Sequence, residues 1–168
     1  MSRLLWLALV ASTLAYLGVL LTLPGRPTPD APMLLPVLCL VGLSTTVVSV
    51  LTSRFLCRSA FSRATPEIRK EPDASQVQYR DQIPMRPVFA DPEAARRTAA
   101  RLHRTSLIVG MALAEAIALF GFVLGFRGFG MANVIPFFVA CWALMVWHFP
   151  RASVIEREFE SVHRAKFC

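Results

Sequence analysis

The stretch TSLIVGMALAEAIALFGFVLGF, residues 105–126, holds a single charged residue, Glu115, about halfway along it. Roughly 20 apolar residues at about 1.5 Å rise cross the ~30 Å hydrocarbon core of a bilayer. The run therefore reads as a membrane helix, with one carboxylate near mid-span. A charge at that depth costs about 2.5–3.5 kcal/mol on insertion scales, and such a group normally faces a bundle interior or a water path. Glu115 is accordingly the first candidate for function.

Working outward, three further apolar runs are long enough to be read as spans: about Leu4 to Leu23, Met33 to Ser53 and Val134 to Phe149. The first is longer than a usual signal-peptide core and no Ala-x-Ala cleavage pattern follows it, so it is expected to be a retained helix. It ends at the breaker-rich Pro24-Gly25-Arg26-Pro27-Thr28-Pro29 segment. The fourth run is short for a perpendicular span unless Gly130 to Ala132 joins it or the bilayer thins there. Composition agrees, with 55% hydrophobic and 17% charged residues in 168 and a mean hydropathy of +0.51. The expected fold class is all-α: a polytopic membrane protein built as a four-transmembrane-helix bundle.

Setting Gly18 on Gly121 lays Ala11-Ser12-Thr13-Leu14-Ala15-Tyr16-Leu17-Gly18 over Ala114-Glu115-Ala116-Ile117-Ala118-Leu119-Phe120-Gly121, and Pro36 then falls on Pro136. The overlay allows a reading as two tandem helical hairpins, with Ser12 in the place of Glu115.

The net charge of +7 is not spread evenly. Residues 54–104 carry eleven Arg or Lys against six acids and the tail adds Arg151, Arg157, Arg164 and Lys166, while the two remaining loops have one arginine each, Arg26 and Arg127. The positive-inside rule then places both termini and the long loop in the cytoplasm, as for a protein of a bacterial inner (plasma) membrane. Beside membrane spans this charge reads as topology signal and anionic-lipid contact. No aromatic stacking platform or DNA-binding pattern accompanies it, so nucleic acid is not an expected partner.

The expected organisation is a first transmembrane hairpin over 1–54, a flexible cytoplasmic loop over 55–91, a basic helix extension with a second hairpin over 92–149, and an amphipathic tail over 150–168. Within the loop, Pro66, Pro72, Pro84 and Pro87 stand among polar residues, a composition expected to stay extended or disordered. Asp91 then fits an N-cap and Pro92 a first helical position, so one helix is expected to run from Pro92 into the third span. Arg96, Arg97, Arg101 and Arg104 would ring its cytoplasmic end as lipid-headgroup contacts. In the tail, Ser153 and Glu156 have capping-box spacing ahead of Ile155, Phe159 and Val162, which share a helical face. That helix would lie on the membrane surface or cover the end of the bundle.

Around Glu115 the residues are small. Gly121 and Gly125 form a GxxxG pair and Gly110, Ala114 and Ala118 extend the row, so these five are expected to let another helix approach closely. No basic residue lies at Glu115's depth in any span, which leaves hydroxyls such as Ser12, Thr13, Tyr16, Ser44, Thr45 and Thr46 as its hydrogen-bond partners.

Residues 112–124, Ala-Leu-Ala-Glu-Ala-Ile-Ala-Leu-Phe-Gly-Phe-Val-Leu, resemble the carboxylate-bearing helix of the proteolipid c subunit of rotary ATP synthases. The resemblance implies that Glu115 is an ion-binding carboxylate, holding a proton or sodium ion. It extends to this helix alone: the Gly-x-Gly-x-Gly run of that family's other helix has no counterpart in residues 37–53, whose one glycine is Gly42.

Other chemistry finds little in the sequence. Cys39, Cys57, Cys141 and Cys168 form no CxxC or zinc spacing, and there is no Gly-rich phosphate loop, no nucleophile beside a base at motif spacing and no His-Glu metal signature. His103 and His148 read as polar residues at helix ends rather than haem ligands. No catalytic residue, metal or cofactor is expected. Two functions stay open: proton or cation binding at Glu115, or a structural or assembly subunit in which Glu115 is interhelical hydrogen-bond glue. The expected partners are membrane lipids and either other membrane subunits or further copies of the chain.

Overall fold

A computed structural model describes residues 2–22, 33–72 and 85–167. The breaker segment at 24–29, residues 73–84 of the long loop, and Cys168 lie outside the described residues. The elements are helices α1 (Ser2–Thr22), α2 (Leu34–Ser62), α3 (Pro92–Phe126), α4 (Met131–Trp147) and α5 (Ala152–His163), with strands β1 (Ile68–Pro72) and β2 (Met85–Phe89) between α2 and α3. The fold is thus predominantly helical. Three helices, α1, α2 and α3, are long and apolar enough to cross a membrane, and a fourth span counts only when α4 is taken with α5. By itself α4 has 17 residues, and its start at Met131 brings Met131 and Ala132 into the helix.

Contacts divide the chain into two units, Met1–Arg54 with Ser106–Pro150 and Phe55–Thr105 with Arg151–Cys168. In the first, α3 and α4 supply most of the buried core: Leu107, Met111, Ala114, Ile117, Ala118 and Leu124 from one, Val134, Phe137, Phe138, Cys141, Leu144 and Met145 from the other. The α3 set recurs at three- and four-residue steps, the stripe a helix buries on one face. Helix α1 is held against α4 by two indole donors. Trp6 Nε1 donates to the Met145 carbonyl at 2.8 Å, and Trp142 Nε1 donates to Thr13 Oγ1 at 3.1 Å. By contrast, α1 and α2 keep large apolar side chains on their outer faces, including Leu4, Leu40 and Leu43, each about two-thirds exposed or more.

The second unit is built on aromatic rings. Phe61 of α2, Phe89 of β2 and Phe159 of α5 are essentially fully buried together with Ala95 and Ala99 of α3. Phe159 meets Phe61 edge-on at 5.1 Å and Phe89 at 5.4 Å between ring centroids, geometries that suit the aromatic quadrupole. Strands β1 and β2 pair antiparallel from Ile68↔Phe89 to Pro72↔Met85. Lys166 extends this ribbon, its N–H donating to the Pro87 carbonyl at 3.0 Å and its carbonyl accepting from Phe89 N–H at 3.2 Å.

Two expectations are corrected here. The segment 55–91 is not flexible chain throughout: 55–62 continue α2, and 68–72 and 85–89 form the ribbon, with Val88 and Phe89 buried. Its sparse apolar content suffices because the partners come from α2, α3 and the tail, and Pro72 and Pro87 sit in a narrow ribbon where a missing N–H is tolerated. The capping box also fails. The N-cap of α5 is Arg151 without a side-chain cap bond, and Glu156 turns to Arg96 at 3.1 Å. The tail's apolar face is spent on the second unit through Phe159. At the head of α3 the local reading holds: Asp91 Oδ1 accepts from Ala94 N–H at 2.9 Å and one helix runs from Pro92 to Phe126.

His163 lies against Phe159, with ring centroids 4.5 Å apart, and its buried Nε2 has no hydrogen-bond partner among the described residues. Burial holds the imidazole below its usual 6.5, with the Phe61 backbone acting in the opposite sense. The unfolded chain therefore takes up this proton more readily than the folded one. The His163 contribution is complete above about pH 6.5 and is lost as the pH falls through that value toward the lowered one. The second unit is expected to lose stability on acidification from pH 7.5 to pH 5, and His163→Gln should flatten that dependence. Identical pH profiles for the two proteins would remove His163 as the cause.

Candidate functional site

Ser12 and Tyr16 stand four residues apart on α1, one above the other on the same face. Both reach one oxygen of Glu115 on α3: Ser12 Oγ donates to Oε1 at 2.7 Å and Tyr16 Oη donates to Oε1 at 3.2 Å. Glu115 is half-buried. Among the described residues no basic side chain pairs with it, and Oε2 has no hydrogen-bond partner. The Tyr16 ring is itself positioned by Phe122, one of α3's own residues, at 5.7 Å.

Hydrogen counting shows what this arrangement can do. Ser12 has one hydroxyl hydrogen and two possible acceptors, Glu115 Oε1 and the Leu9 carbonyl at 2.8 Å. With the carboxylate ionised, Ser12 and Tyr16 both donate to it. With the carboxyl protonated, Ser12 turns its hydrogen back to Leu9 and accepts at the 2.7 Å contact instead. Both charge states are satisfied by rotating one hydroxyl, and Oε2 stays available for a cation. The other candidate hydroxyls are spent elsewhere: Thr13 donates to Val10, and Ser44, Thr45 and Thr46 donate to carbonyls four residues back in α2.

The small residues singled out around Glu115 all lie in the first unit. Ala114 and Ala118 are fully buried. A Cβ on Gly121 would come 2.8 Å from Phe137 Cβ and 3.2 Å from the Val134 carbonyl of α4, and one on Gly125 would come 2.8 Å from Leu20 of α1. At Gly110 the neighbour is the His148 ring at 2.8 Å. The Gly110 carbonyl accepts from Ser49 Oγ at 3.0 Å, and Ser49 also meets His148 Nε2 at 3.1 Å. His148 is thus part of a polar link joining α2, α3 and the end of α4.

In the second unit α5 and the tail offer Arg96 two contacts, Glu156 at 3.1 Å and the face of Phe167 at 5.3 Å. Arg97, Arg101 and Arg104 are exposed. The fold also gathers a group that sequence reading missed: Cys57 Sγ lies 3.4 Å from His103 Nδ1 and 3.5 Å from Glu158 Oε2. No spacing motif announces it, since the three residues come from α2, α3 and α5. Burial holds His103 below its usual 6.5 against the pull of Glu158. Among the described residues no three His, Cys, Asp or Glu side chains are placed to hold a metal ion. Comparison with known proteins gives no matching family, no matching characterised sequence and no matching solved structure.

Proposed function

We propose that this chain is an integral membrane protein in which Glu115, Ser12 and Tyr16 form a proton- or cation-binding site between α1 and α3. The observation that carries the reading is a half-buried carboxyl with two hydroxyl partners on one oxygen, no basic partner among the described residues, and an uncommitted second oxygen. Membrane insertion is supported by the outward Leu4, Leu40 and Leu43 and by three helices long and apolar enough to cross a bilayer. In lipid those faces need no protein cover. The resemblance to proteolipid c subunits points to the same use of Glu115.

Modification by a hydrophobic carbodiimide tests the site, since the reagent takes the protonated carboxyl. Intact mass of the full chain in micelles should show one adduct that Glu115→Gln abolishes, with labelling slowed by rising pH or by a competing cation. Labelling of the wild type that is indifferent to both would overturn the reading.

A second reading, interhelical glue, is favoured by the Trp6, Trp142 and Ser49 bonds, which show polar side chains joining helices elsewhere in this unit. Glutamine preserves hydrogen bonding without titrating, whereas Glu115→Leu removes both and should cost about 0.6–2 kcal/mol, the range for such bonds in membranes. If only the leucine variant differs from wild type in any assay, glue is the better account.

The arginine distribution supports an orientation with both termini and the α2–α3 connection in the cytoplasm. Cysteines introduced at the exposed Gly130 and Ser161 check it. The first is expected to react with an impermeant maleimide in intact cells and the second only after permeabilisation. The reverse pattern would invert the topology.

A further inference from the structure

In the second unit the last turn of α2, the residues leading into β1 and the first turns of α3 enclose an open groove of about 540 Å³. Its apolar lining includes Ala60, Ala64, Ala94 and Ala95. Its polar groups are Arg63, Arg101, Thr65, Thr98, Glu67 and Asp91. Neither guanidinium nor the Glu67 carboxylate is committed to an ion pair or hydrogen bond among the described residues, and Asp91 uses only Oδ1, for its N-cap. Among the described residues these charges have no internal ion-pair partner.

Along α3, Arg101 is set apart from the two acids. The Ala90 N–H donates to the Glu67 carbonyl at 2.9 Å, which brings Glu67 beside Asp91 at the end of the ribbon. Arg101 lies ten residues further along α3 than Asp91, about 15 Å of helix at ~1.5 Å per residue. Two guanidiniums and two threonine hydroxyls offer more donors than a planar carboxylate can use and suit a tetrahedral anion with several oxygens. The carboxylates of Glu67 and Asp91, away from Arg101, would repel a polyanion and suit a cation with N–H donors. We propose that this groove binds a phosphate joined through a short linker to a primary ammonium, the chemistry of a phosphoethanolamine group. The source is either a membrane lipid headgroup or a soluble phosphodiester. The inference rests on the membrane reading above only for the lipid source.

The test uses the full chain. In micelles, isothermal titration with glycerophosphoethanolamine is compared with glycerophosphoglycerol, which keeps the phosphodiester and lacks the ammonium. In nanodiscs of phosphatidylcholine doped with phosphatidylethanolamine or phosphatidylglycerol, lipid retained by the protein is read by native mass spectrometry. The ethanolamine form is expected to be preferred in at least one setting. Retention from nanodiscs alone assigns the lipid source, and binding of the soluble probe in micelles assigns the free one. The R63Q/R101Q double variant should weaken binding about tenfold or more. E67Q should erase the preference over the glycerol form while leaving phosphate binding in place. Equal affinity for both headgroups, no effect of R63Q/R101Q in a protein whose circular dichroism is unchanged, or no binding in either setting would each overturn the proposal. The soluble-probe arm does not involve Glu115, so its outcome is separable from that of the carbodiimide experiment.

Discussion

Phe159→Ala is expected to destabilise the second unit by about 3–5 kcal/mol, the usual cost of emptying a buried phenylalanine site. The ring is fully buried and touches Phe61, Phe89, His163 and Phe167, which arrive from α2, β2, α5 itself and the C-terminal residues. No neighbour can fill the space without abandoning another contact. Cys57, only 3% exposed in the same core, reports the opening directly. With Cys57 as the sole cysteine, its maleimide labelling rate should rise on the order of a hundredfold or more, since each ~1.4 kcal/mol is a factor of ten in the open population. A change smaller than about tenfold would mean that Phe159 is not central to this core.

Gly121→Ala is expected to have the next largest effect, a loss of about 1–3 kcal/mol from overpacking. The added methyl would meet Phe137 Cβ at 2.8 Å and the Val134 carbonyl oxygen at 3.2 Å. One is the root of a side chain and the other is backbone, so neither can swing aside and α4 itself must shift. The matched control is Gly18→Ala, where nothing lies within 4 Å of the new methyl. That substitution should be neutral or stabilise by about 0.5–1 kcal/mol through helix propensity. Thermal unfolding in micelles compares the two, and equal effects would mean that the α3–α4 contact is looser than this geometry requires.

That pair of glycines also measures how far the amino-acid sequence could be read. The internal overlay treats Gly18 and Gly121 as equivalent, and by sequence they are: a glycine in the same run of alanines and aliphatics. Their surroundings differ because α4 packs on α3 at Gly121, while Gly18 faces outward on α1. The overlaid positions Ser12 and Glu115 do meet, but as hydrogen-bond partners between α1 and α3. An apolar helix sequence specifies that small residues permit approach without saying which helix will make it.

What the sequence determined by itself is local. Asp91 and Pro92 start α3 because an N-cap oxygen and a proline at the first helical position act within one turn. The apolar runs make helices, and the lone Glu115 within one of them marks where a charge must be managed, since its cost follows from its own depth. Tertiary structure alone decided the rest. Ser12 and Tyr16, rather than the hydroxyls of α2, reach Glu115 across about a hundred residues of chain. Phe89, unremarkable in polar surroundings, and Phe159, on an apolar helical face with no partner in view, become a core only when β2 and α5 meet. Ser153 has the spacing of a cap but loses it, because Glu156 bonds Arg96 and the helix begins at Ala152. Bonds within a turn are set by residues in view of one another along the chain. Bonds between elements depend on which faces pack, and that is settled by the burial of whole surfaces rather than by any one spacing.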